Sequence, residues 1–95
     1  MWDMFLKILK KSKKFYLNGK INTLTCKRFR NYIQYNFDLD TNVIINIDEV
    51  NEIDKDGLKA INSLITISLR ENKMFSIEGR GTKEIYEYYD QAIAI

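Results

Sequence analysis

The sequence has no histidine and a single cysteine, Cys26. These two scarcities exclude the usual zinc sites and every histidine-based catalytic triad. One thiol also excludes an internal disulfide and suits a reducing compartment. No apolar run approaches the roughly 20 residues that span a bilayer. The opening MWDMFLKILK has lysines among its apolar positions and no small-residue cleavage site beyond them, so it does not match a signal peptide. Internal repeats, low-complexity tracts and linker-like stretches are missing too. These absences predict one soluble, cytoplasmic domain covering residues 1–95.

What is present suits a folded chain. Of 95 residues, 45% are hydrophobic and 29% charged, and a chain of this size buries roughly two-thirds of the surface it exposes when unfolded. The net charge of +2 hides an imbalance: residues 1–30 carry nine lysines and arginines against Asp3 alone, and the rest carries six against twelve acids. That polarity either steers a charged partner or forms two solvated faces of one fold.

The most informative stretch runs from Asn42 to Arg70. Asn42-Val43-Ile44-Ile45-Asn46-Ile47 is a short β-branched run, which predicts a strand covered on both faces. Val50 and Ile53 lead through acidic residues to Asp54-Lys55-Asp56-Gly57. The period then becomes helical, with Leu58, Ile61, Leu64, Ile65 and Leu69 on one side and Lys59, Asn62, Ser63, Thr66 and Arg70 on the other. Asp54 and Asp56 stand at the helix start, where carboxylates accept from free backbone N–H groups and favour the positive dipole end.

Residues 4–21 admit two patterns. As strands, Met4–Leu9 and Lys14–Ile21 form a hairpin, with a bend or bulge at Gly19. As a helix, Trp2, Phe5, Leu6 and Leu9 oppose lysines, the pattern of a membrane-surface helix. The strands are preferred because Phe15-Tyr16-Leu17 continues into the second one. Asn22 and Thr23 are candidate N-caps of a first helix whose Cys26, Phe29, Ile33 and Phe37 face the core, while Arg28, Asn31 and Gln34 are wet. Cys26 is expected as a small core residue. Beyond the central helix, Met74–Ile77 predicts a strand, and a last helix follows with Ile85, Tyr88 or Tyr89, Ala92 and Ile93 inward and Tyr86 elsewhere. The six tyrosines lack the basic interleaving of a nucleic-acid platform. The predicted fold is α/β in the order ββαβαβα. A small mixed four-stranded sheet, its central crossover right-handed, carries three helices mainly on one face.

No catalytic set, metal site or cofactor motif accompanies the acidic turn. A phosphatase-type aspartate pair directly follows an apolar strand, whereas Asn51 and Glu52 intervene here. Aligning Gly57 with the sixth position of an EF-hand loop puts Ser63 at the twelfth, where a bidentate glutamate is needed. Gly79-Arg80-Gly81 is too short for a phosphate loop.

Val43–Ile47, Val50, Ile53 and Asp54-Lys55-Asp56-Gly57-Leu58 together resemble the signature of the STAS domain, the sulphate-transporter and anti-sigma-factor-antagonist family. There an apolar strand precedes Asp-Ser-Ser/Thr-Gly-Leu and an amphipathic helix. Leu17-Asn18-Gly19-Lys20-Ile21-Asn22 resembles the family's Leu-x-Gly-x-Leu-Asp segment, and the element order agrees over nearly the whole chain. The resemblance implies a non-enzymatic protein-binding switch of bacterial transcription regulation. A partner kinase phosphorylates the Ser or Thr before the glycine, and the unmodified form binds that kinase to free a sigma factor.

The matching residue here is Asp56, Lys55 replaces the preceding Ser, and Asn22 replaces an acid. A carboxylate presents about −1 against roughly −1.5 to −2 for a phosphoserine. The resemblance therefore implies either a permanent imitation of the phosphorylated state or docking without phosphorylation, as in accessory subunits of phospholipid-transport ABC complexes. The expected partner-binding residues are Asp54, Lys55, Asp56, Gly57, Leu58, Lys59, Asn62, Ser63 and Thr66, facing an anti-sigma-factor kinase-like protein or a transporter subunit. The rival expectation is a membrane-surface or nucleic-acid binder acting through Lys7 to Lys14; no specific nucleic acid is expected in the first reading.

Overall fold

A computed structural model describes residues 5–40 and 42–93, with side chains as far as residue 89. The expected contributions of Trp2 and Met4, and of the Ala92 and Ile93 side chains, lie outside what is described. The elements run β1 (Leu6–Lys11), β2 (Lys14–Ile21), α1 (Cys26–Leu39), β3 (Asn42–Ile53), α2 (Lys55–Arg70), β4 (Met74–Glu78) and α3 (Thr82–Ile93). The order ββαβαβα is the expected one. The N-terminal region is a hairpin, so the membrane-surface helix is not formed. Ser12 opens its two-residue loop at φ 59°, a positive value that lets a tight turn follow strand twist.

The sheet has strand order β1-β2-β3-β4, with β1 antiparallel to β2 and the remaining neighbours parallel. Burial alternates over the first residues of β1, β2 and β3. Leu6, Ile8, Phe15, Leu17, Val43, Ile45, Ile47 and Ile77 point to the helices, where they meet Phe29, Ile33, Phe37, Ile61 and Leu64. The opposite face carries Lys7, Leu9, Tyr16, Asn18, Ile44 and Asn46 and has no helical cover among the described residues. The expectation that β3 is covered on both faces is thus corrected: apolar Ile44 sits on the open side between Asn42 and Asn46, and only alternate residues are buried.

β3 is also longer than its apolar run predicts. It continues through the acidic residues to Ile53 because β2 holds it: Gly19 pairs with Val50 and Ile21 with Ile53. Register shifts lie between Tyr16 and Asn18 and again between Gly19 and Lys20. The second is the expected irregularity at Gly19, whose φ of 126° leaves the Phe5 carbonyl against it.

Helix α1 begins later than its candidate caps imply. Thr25 is the N-cap residue, and its hydroxyl accepts from Asn22 N–H and donates to the Lys20 carbonyl. Asn22 closes a local turn onto Leu24 N–H instead. Phe29, Ile33 and Phe37 are buried as expected, whereas Cys26 is half-buried at the helix edge and Gln34 is half-buried rather than wet. On α3, Ile85 and Tyr89 are buried, and Tyr86 packs inward too, its hydroxyl accepting from Ile77 N–H at 3.2 Å.

Candidate docking site at the start of α2

The parallel pairing of Ile21 with Ile53 brings the ends of β2 and β3 side by side, and α2 leaves from that point. Asp54 N–H donates to the Ile21 carbonyl at 3.2 Å, fixing the first residue after the strand. Its side chain then caps the helix as its position predicts: Oδ1 accepts from Gly57 N–H at 2.8 Å, and Oδ2 accepts from Thr23 N–H at 3.1 Å. The Gly57 bond above all, with help from the Thr23 contacts and against some desolvation, holds the Asp54 carboxyl below the usual aspartate range.

Asp56 sits in the first turn, half-buried, and its carboxylate accepts from the Thr23 hydroxyl at 2.7 Å. The same hydroxyl stands 3.2 Å from Asp54. Thr23 is therefore a clasp between the β2–α1 loop and both acids, a role different from the helix cap that its sequence position suggests.

Gly57 is buried, and a Cβ there would collide with the Ile21 carbonyl oxygen. The glycine lets α2 pack its backbone on the end of β2. Its expected place on an open docking surface is corrected accordingly: it positions its neighbours from beneath.

The remaining residues of the expected patch spread across one side of α2 and differ in exposure. Lys55, Lys59 and Thr66 are exposed along the crest of α2. Leu58 and Asn62 turn to one flank and Ser63 to the other, all three half-buried. The Asn62 side-chain oxygen is buried without a hydrogen-bond partner among the described residues, and Thr66 Oγ1 lies 3.4 Å from the Tyr89 hydroxyl of α3. Leu69, expected inward, is 69% exposed, and buried Ser68 takes the place beneath, donating to the Ile65 carbonyl.

Two clefts flank this turn. On the Leu58 side, an apolar cleft of about 360 Å³ is lined by Ile47, Val50, Ile53, Ile85 and Tyr88, with Arg80 and Glu84 at its polar margin. On the other side a groove of about 300 Å³ runs between α1 and α2, lined by Cys26, Lys27, Arg30, Asp56, Lys59, Ala60 and Ser63. Sequence reasoning missed the contribution of Lys27 and Arg30. Their i, i+3 spacing on an otherwise amphipathic helix was the available signal.

The lysines of the hairpin are dispersed by the strand alternation. Lys10 reaches Asn36 Oδ1 at 3.2 Å and lies over the Phe15 ring, Lys14 pairs with Glu78 at 3.1 Å, and Lys13 approaches Asp40 at 3.9 Å. Glu78, held also by Asn46 at 2.7 Å, is kept below the usual glutamate range chiefly by that amide, and Lys14 is raised by the Glu78 contact. Among the described residues, no group of three or more cysteine and acidic side chains is placed to hold a metal ion, and no helix is long and apolar enough to cross a membrane.

Fold and site together define a small α/β domain with a capped, doubly acidic turn opening its central helix. The architecture is similar to the crystal structure of an anti-sigma-factor antagonist, a STAS domain from Rhodobacter sphaeroides. The likeness has a TM-score of 0.60 at 15% identity, and covers 81% of this chain and 87% of the other. It bears out the STAS resemblance and the predicted four-stranded mixed sheet at the level of the fold. No family model matches the sequence, and no curated protein matches it.

Proposed function

We propose that this chain is a non-enzymatic, cytoplasmic protein-docking module whose contact surface is the first turn and crest of α2, with Lys55, Asp56, Lys59 and Thr66 at its centre. The observation that carries this reading is the placement of Asp56. It stands directly before the glycine that packs α2 onto β2, half-buried at the opening of the helix, with its charge supplied by the genetic code. Where the resembled antagonists switch a hydroxyl by phosphorylation, a carboxylate cannot take up a phosphoryl group as a stable ester. Docking here is therefore not switched by phosphorylation at this position. The partner is a protein of the anti-sigma-factor kinase-like or transporter-subunit kind. The dispersal of the hairpin lysines onto Asn36, Asp40 and Glu78 favours this reading over the membrane or nucleic-acid rival.

A photo-crosslinking residue placed at Lys55 or Thr66 in the native cell is expected to join one protein reproducibly, with a crosslinker at Leu9 on the open sheet face as the control. Asp56→Ser is expected to change the yield while altering folding stability by at most about 1 kcal/mol. Equal capture by the α2 positions, the Leu9 control and Asp56→Ser would refute a docking role for this turn.

A further inference from the structure

We infer that the groove between α1 and α2 seats an acidic segment of the docked partner, gripped by Lys27, Arg30 and Lys59. This deepens the docking reading by naming the partner's chemistry, and it extends the contact surface from α2 onto α1. Lys27 and Arg30 reach the groove from α1 and Lys59 from α2. Among the described residues, no carboxylate forms an ion pair with any of the three. The acid in the groove, Asp56, stands at its end with the Thr23 hydroxyl on it. The surface around the groove is thus cationic in a chain whose residues after 30 are strongly acidic.

The groove's other features suit a polypeptide. Its floor includes small Ala60 and Cys26, and beside Lys27 stands Leu24, 71% exposed, at a second depression shared with Arg28 and Asn31. Cations flanking a groove whose lining is partly apolar, with exposed Leu24 beside it, complement a segment that alternates carboxylates with apolar side chains. A free phosphate would look for backbone donors at the start of α2, but Asp54 occupies the Gly57 N–H there. A flat bilayer would reach the crests of the two helices before the groove between them.

The test uses the whole chain and a synthetic probe: a fluorescein-labelled amphipathic peptide of Glu and Leu, and its twin with Gln for every Glu, followed by fluorescence anisotropy. The Glu peptide is expected to bind saturably and more weakly as salt rises, the Gln peptide to fail, and K27E/R30E/K59E to weaken binding about tenfold or more. The charge-matched control K11E/K13E/K83E is expected to stay within about twofold. Amide resonances of residues 27, 30, 59 and 63 in the unaltered protein are expected to shift along the titration. Equal losses in the two triple variants, shifts confined to other surfaces, or groove-dependent binding that is tighter for phosphatidylserine vesicles or random DNA than for the peptide would overturn the proposal. If the Lys55 crosslinker captures the same protein undiminished in K27E/R30E/K59E, the groove assignment falls while α2 docking stands. If the peptide seats in the groove but no α2 crosslink forms, the docking reading falls instead.

Discussion

The Thr23 hydroxyl donates to the Asp56 carboxylate at 2.7 Å, joining residues 33 positions apart in the chain. The bond ties the loop that opens α1 to the turn that opens α2, and it orients the charge on which docking is proposed to depend. Thr23→Val keeps the shape and removes the donor. It is expected to cost about 1 kcal/mol in urea denaturation and to change crosslinking through Lys55, because the Asp56 carboxylate loses its fixed direction. Loss of stability with unchanged crosslinking would make the clasp purely structural.

Acid should loosen the same corner. Asp54 is depressed by its bond to Gly57 N–H and by Thr23. A carboxyl lowered by folding adds stability that is present above its unfolded pKa and is lost as pH falls through the folded one. Urea midpoints measured from neutral pH down to pH 3 should therefore fall on the acid side, and Asp54→Asn, which keeps a capping oxygen, should flatten that fall. Glu78, depressed first by Asn46 and then by Lys14, is expected to contribute in the same direction to the acid dependence left in Asp54→Asn. An unchanged acid limb in Asp54→Asn would remove Asp54 from this role.

Gly57→Ala separates positioning from contact. The added Cβ meets the Ile21 carbonyl oxygen, a backbone atom with no rotamer by which to yield. The expected cost is about 2–3 kcal/mol, read from urea or thermal unfolding, although alanine is the better helix former. A neutral or stabilising effect would show that α2 does not rest on the end of β2 as described.

Much of the fold was legible in residue order. The alternation of Phe15, Tyr16 and Leu17 marked a strand, the spacing of Phe29, Ile33 and Phe37 a helix face, and Asp54 before the Leu58–Leu64 pattern a capped start; all three stand as read. These are local signals, because side-chain period follows from the backbone geometry of a single element.

The site was legible only in part. Asp56-Gly57 was visible as a motif, but whether its residues share a surface depends on which flank of α2 each neighbouring helix covers. Leu58 and Asn62 went to one side and Ser63 to the other, a division set by the docking of α1 and α3.

The sequence by itself determined the element order, the helix cap and the fixed negative charge, since each depends on near neighbours along the chain. Only the tertiary structure decided that no described helix covers one sheet face, that Thr23 clasps two acids, that Gly57 is a contact point beneath the helix, and that Lys27, Arg30 and Lys59 converge on one groove. Those outcomes require parallel strands and crossing helices to bring together residues about 30 positions apart, and no periodicity within a single element encodes that meeting.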